Sequence, residues 1–135
     1  MSGYVLQFEE IDRTQFSLVG GKGANLGELS RIEGVCVPSG FCVTTKAFER
    51  IVEDAPSMND RLERLSRLGP EHWDAIRELS AELRNALEAV VIPEDVIAAI
   101  ARALDRLKTS GLVQQISVAP EPSYRSKHAL TQEVV

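Results

Sequence analysis

Cysteine is nearly missing from this chain. Cys36 and Cys42 are the only two. Their spacing is not Cys-x-x-Cys, and His72 and His128 lie far from them in sequence. A zinc site is therefore not expected, and two reduced, buried thiols in a cytosolic protein are the plain reading. Long apolar runs are missing too: none approaches the roughly 20 residues a membrane helix needs. The N-terminus lacks the basic-then-apolar layout of a signal peptide, so the chain is expected in the cytoplasm. Cations are outnumbered, and a net charge of −5 argues against a general nucleic-acid binder. What remains is 135 residues with 44% hydrophobic and 26% charged side chains, which fits one soluble globular domain or part of one.

Glycine is concentrated in one place, Ser17-Leu18-Val19-Gly20-Gly21-Lys22-Gly23-Ala24-Asn25-Leu26-Gly27-Glu28-Leu29. A short apolar piece leads into a flexible turn carrying one cation among three glycines. A helix then opens, with Leu26, Leu29 and Ile32 at helical spacing. Glycines there adopt positive φ and let the backbone approach a ligand. The free N–H groups and positive dipole end of the following helix suit an anion, and Lys22 adds a mobile charge for a phosphate oxygen. The stretch reads as half of a polyphosphate site. A glycine turn with a solvated lysine is the plainer alternative, and the residues alone leave it open. A P-loop is excluded because Gly23, not Ser or Thr, follows Lys22. The dinucleotide-binding spacing also fails.

The rest of the chain reads as a helix-rich α/β (α+β) fold with a few short strands. Tyr4-Val5-Leu6-Gln7-Phe8 is a first strand, and Glu9 to Phe16 a polar loop. The first helix runs to about Arg31, with Gly34 as its stop. Val35 to Val43 is extended and broken at Pro38. Thr44 or Thr45 caps a helix carrying Ala47, Phe48, Ile51 and Val52, which Ala55-Pro56 ends. Ser57-Met58-Asn59-Asp60 has the form of a capping box, ahead of a stripe of Met58, Leu62, Leu65 and Leu68. Gly69-Pro70-Glu71 combines a stop with a start. Trp73, Ile76, Leu79, Leu83 and Leu87 form the longest apolar face, with a charged, solvated face opposite. Pro93-Glu94-Asp95 opens a last helix whose buried face is Val96, Ile97, Ile100, Leu104 and Leu107. After Leu107 no period is sustained. The tail reads as poorly ordered, with one short strand at Val113 to Val118.

The run from Leu18 to Leu29, then Gly34, Val37-Pro38, Gly40-Phe41 and Val43-Thr44-Thr45, resembles the opening of the nucleotide-binding domain shared by pyruvate phosphate dikinase, phosphoenolpyruvate synthase and rifampicin phosphotransferase. Tyr4 to Phe8 with Ile11-Asp12, and Ser30 to Gly34, look most like the rifampicin phosphotransferase branch. The resemblance implies a partial ATP-grasp domain over residues 1–107 and a non-family tail over 108–135. It implies ATP as ligand, held at its phosphates by Lys22 with Gly21 and Gly23 beside it, and Mg2+ as the metal of the complete enzyme. No catalytic residue and no metal ligand is assigned within this chain. Complete members add phosphohistidine and acceptor domains and convert ATP and an acceptor to AMP, phosphorylated acceptor and phosphate.

Two functions follow. One is the N-terminal ATP-binding fragment of such a phosphotransferase, inactive alone, with the nucleotide as partner and the acceptor unspecified. The other is a non-catalytic helical module that self-associates or docks a partner through exposed apolar surface. Family members continue from the last helix into an Arg-Ser-Ser arm, which Tyr124-Arg125-Ser126-Lys127 does not replace. With the apolar period lost after Leu107, the chain is expected to be a truncated product whose tail is read in a shifted frame. Sequencing the gene checks this: an alternative frame past codon 107 encodes an Arg-Ser-Ser continuation, and its absence from every frame refutes the shift.

Overall fold

A computed structural model describes residues 3–53, 55, 57–111, 113–117 and 123–126. The chain forms two compact units, Met1–Ala47 with Asp95–Val135, and Phe48–Glu94.

In the first unit, β1 (Val5–Gln7) pairs antiparallel with β2 (Phe41–Val43), with Leu6 opposite Cys42. The Val35–Val43 stretch, expected to be extended and broken at Pro38, is strand only over its last three residues, after Pro38 and Ser39-Gly40. Gly40 is buried under the Phe8 ring, which would stand 2.4 Å from a Cβ there. The expected loop from Glu9 to Phe16 is instead two 3-10 turns, Phe8–Glu10 and Arg13–Gln15. Each is closed by side chains. The Glu10 carboxylate accepts the Gln7 N–H at 2.8 Å. Asp12 accepts the Thr14 N–H at 2.7 Å, and Gln15 accepts the Asp12 N–H at 2.7 Å. The Thr14 hydroxyl and N–H, with Arg31 further off, hold the Asp12 carboxyl below its ordinary range.

Helix α1 (Phe16–Ser30) follows and is broken at Gly20. Its buried residues are Gly23, Ala24 and Gly27, while Leu26 is half-buried and Leu29, like Ile32 just past the helix, is exposed. Small residues win because the helix lies against backbone: a Cβ on Gly27 would sit 2.5 Å from the Ile11 carbonyl oxygen. Ile11 is fully buried there. Gly34, with φ of 83°, turns the chain after the helix.

Helix α2 (Thr45–Glu53) starts at the end of β2. The hydroxyls expected to cap it act elsewhere. Thr44 donates to the Gly3 carbonyl at 2.7 Å and Thr45 to the Ser17 carbonyl at 3.1 Å. Both tie separate segments of the first unit together. Helix α5 (Glu94–Thr109) buries Val96, Ala99 and Ala103, while Ile97 is exposed and Ile100, Leu104 and Leu107 are half-buried. The Tyr4 hydroxyl donates to the Asp95 carboxylate at 3.2 Å, fixing the start of α5 near β1. Beyond α5, β3 (Val113–Ser117) pairs with β4 (Ser123–Ser126) as an antiparallel hairpin, where the sequence suggested one strand in a poorly ordered tail. The remainder of that tail lies outside the described residues.

The second unit packs α3 (Met58–Ser66) on α4 (Trp73–Glu88), with Met58, Leu79 and Leu83 buried. The capping box at Ser57 does not form. Ser57 is left-handed, and its hydroxyl accepts from Arg61 instead. Pro70 does not open α4 either: Gly69 and His72 bond to one another across it, and the helix begins at Trp73. Trp73 itself is 73% exposed rather than part of the buried face.

The α1 seat on Ile11 predicts the effect of one methyl. Gly27→Ala should lose about 1–3 kcal/mol in urea unfolding, because the carbonyl it meets is backbone and cannot swing aside.

Candidate functional site

The glycine stretch is not a loose turn. Ser17, Leu18 and Val19 are already helical, and a single residue breaks the helix: Gly20, with φ 70° and ψ 177°. That combination of positive φ with extended ψ is essentially confined to glycine, and an L side chain held there costs about 1–3 kcal/mol. A second helical segment starts at Gly21, so Gly21, Lys22 and Gly23 form its first turn. The first N–H groups of a helix point along its axis without intrahelical partners, at the positive end of the dipole.

The three residues face different ways. Lys22 is exposed, and among the described residues its ammonium has no hydrogen-bond or ion-pair partner. Gly21 is half-buried beneath the exposed Phe16 ring, which a Cβ would meet at an ordinary 3.5 Å. Gly23 is buried. A Cβ there would stand 2.8 Å from the Cys42 sulfur and 2.9 Å from the Val19 Cβ. Gly23 therefore serves packing: it seats the helix on β2 and so aims Lys22 outward. Burial pushes the Cys42 thiol up from its ordinary value. Cys36, expected to be buried, is exposed.

Sequence reasoning passed over the residues that hold this start in place. Thr45 grips the Ser17 carbonyl across the sequence gap. Glu28, on the following turns, accepts the Arg13 N–H at 3.2 Å and lies 3.6 Å from its guanidinium. Both are hydroxyl or carboxylate contacts that spacing does not encode. Chemically the arrangement offers a helix start and one unneutralised ammonium on the same exposed turn, a seat for an anionic oxygen. Among the described residues no group of three or more His, Cys, Asp or Glu side chains could hold a metal ion.

The family model described as pyruvate phosphate dikinase, AMP/ATP-binding domain, matches residues 16–123. The chain belongs to that family. Rifampicin phosphotransferase of Streptomyces sviceus is 55% identical over 103 residues, covering 76% of this chain and 12% of that protein. The Bacillus subtilis protein of the same name is 44% identical over 106 residues, covering 78% of this chain and 12% of its own length. A probable phosphoenolpyruvate synthase of Methanothermobacter thermautotrophicus is 34% identical over 96 residues, covering 71% of this chain and 14% of its own. The chain thus spans roughly an eighth of the curated relatives it matches. The match begins at α1 and runs past Leu107 to the first residue of β4.

The differing roles of the two glycines can be separated by unfolding. Gly23→Ala should destabilise by about 1–3 kcal/mol, since its new methyl meets Cys42 and Val19. Gly21→Ala should be neutral or mildly stabilising, as Ala is about 1 kcal/mol better than Gly in a helix.

Proposed function

We propose that this chain is the N-terminal ATP-binding part of an ATP-dependent dikinase-type phosphotransferase of the rifampicin phosphotransferase or phosphoenolpyruvate synthase kind. Its fold is then the opening portion of an ATP-grasp domain, acting in the cytoplasm. Lys22 neutralises a phosphate oxygen of ATP, helped by the helix start at Gly21. The reaction of the whole enzyme converts ATP and an acceptor to AMP, phosphorylated acceptor and phosphate with Mg2+. A rifamycin acceptor would make it an antibiotic-resistance enzyme. The observation that carries this reading is Lys22, exposed and without a partner among the described residues, on the first turn after the Gly20 break. One ammonium and a few N–H groups do not supply metal, acceptor and adenine contacts together, so the chain alone binds ATP weakly and turns nothing over.

A second reading rests on exposed apolar surface. Trp73, Val91, Ile92 and Leu62 in the second unit are each exposed, and apolar side chains left in water favour self-association where they adjoin. ATP with magnesium, titrated while the amide resonances of Gly20 to Asn25 are followed, distinguishes the two. The nucleotide reading predicts saturable shifts there, weakened about tenfold or more by Lys22→Ala, the scale of one charge-assisted hydrogen bond. An unresponsive stretch in a chain that oligomerises with concentration favours the second reading and refutes the first.

A further inference from the structure

The open edge of β1 faces a slot. The ladder's hydrogen-bond parity follows from its ends: the Thr44 N–H donates to the Tyr4 carbonyl at 2.9 Å, and the Phe8 N–H donates to the Gly40 carbonyl at 3.0 Å. Bonded pairs alternate along an antiparallel ladder, so Tyr4, Leu6 and Phe8 turn their backbone groups toward β2. Val5 and Gln7 turn theirs the other way. The Gln7 N–H is taken by the Glu10 carboxylate. The Val5 N–H, the Val5 carbonyl and the Gln7 carbonyl have no partner among the described residues.

A cavity of about 450 Å3 lies along this edge, lined by Gly3, Val5, Leu6 and Gln7 on one side. The opposite wall is one stripe of α5: Ala99, Arg102, Ala103 and Arg106. The two alanines leave room where larger side chains would fill it. Neither Arg102 nor Arg106 has an ion-pair partner among the described residues. Among the described residues Glu10 is the one carboxylate in the lining, and it is already engaged at the end of the strand. The slot is therefore cationic, in a chain whose net charge is −5.

We propose that this slot takes an extended, acidic peptide segment, which adds to β1 as a further strand and sets its carboxylates against Arg102 and Arg106. Strands pair at about 4.8 Å, and an added strand satisfies outward backbone groups that an apolar or purely ionic ligand leaves bare. Unpaired edges invite such addition unless they are blocked, and among the described residues only the Gln7 end is blocked. A second copy of this chain fits less well, because pairing β1 to β1 brings two arginine pairs together. The inference stands apart from the nucleotide reading: none of these residues belongs to the Gly20–Lys22 turn.

The probe is acetyl-Val-Glu-Val-Glu-Val-amide, titrated into the labelled native chain while the Val5 amide is followed. Saturable movement of Val5 is expected. Two variants of the peptide, N-methylated at alternate residues along either edge, report on backbone pairing: the one blocked on the pairing edge should bind about tenfold more weakly, the scale of a lost hydrogen bond or two. The Lys counterpart of the peptide should bind the native chain at least about tenfold more weakly, and Arg102→Glu with Arg106→Glu should reverse that preference. Equal binding of the Glu and Lys peptides overturns the proposal. So does indifference to both N-methylation patterns, or an equal Val5 shift with inorganic phosphate alone, which would mark a simple anion site. Movement of Val5 with chain concentration alone assigns the edge to a second copy and overturns it likewise. Should the double variant not fold, the Glu-against-Lys and N-methyl comparisons on the native chain still decide.

Discussion

The close approach of α1 to the chain beneath it is the constraint on which this structure depends. Gly27 lets the helix rest on the Ile11 carbonyl, and Gly23 lets it rest on Cys42 of β2. Contacts this short have no room for a Cβ, so the helix can be seated only by residues that lack one. With those two points fixed, the segment's rotation about its axis is fixed as well. Gly23 and Gly27 stand four residues apart and face inward together, and Lys22 is carried to the outside. The exposure of the ammonium follows from the packing of its neighbour.

That arrangement explains why the glycines of one short run do different work. Gly20 supplies a backbone conformation, with its φ of 70° separating two helical segments. Gly21 leaves ordinary space under Phe16. Gly23 and Gly27 supply proximity. From the residues alone the run reads as a ligand cradle throughout, because a missing Cβ looks the same in sequence whether backbone or ligand fills the space.

The helices were legible where one face is apolar and the other charged, as in α4 with Leu79 and Leu83. They were misread where small residues do the burying. In α5 the buried stripe is Val96, Ala99 and Ala103, and the larger Ile97 stands in solvent. Caps were the least legible features: Thr44 and Thr45 bond to remote segments of the chain, and Ser57 takes the Arg61 side chain one turn into its own helix. The β3–β4 hairpin was missed because pairing between strands leaves no period within either one. At the candidate site, Lys22 was singled out by type and setting, and the structure shows it exposed. The contacts that brace it, Thr45 on Ser17 and Glu28 on Arg13, depend on tertiary placement that spacing does not carry.

Family membership and the proposed anion seat meet on α1: the match to the AMP/ATP-binding domain begins at its first residue, Phe16, and covers the second segment that carries Lys22. The most direct measurement is a structure determined with a non-hydrolysable ATP analogue bound to this chain. The account predicts a phosphate oxygen within hydrogen-bond distance, about 2.7–3.2 Å, of the Lys22 Nζ, with the Gly21 N–H turned toward the same group. A polyphosphate seated instead between Arg102 and Arg106, or on any surface that leaves Lys22 in water, would contradict it.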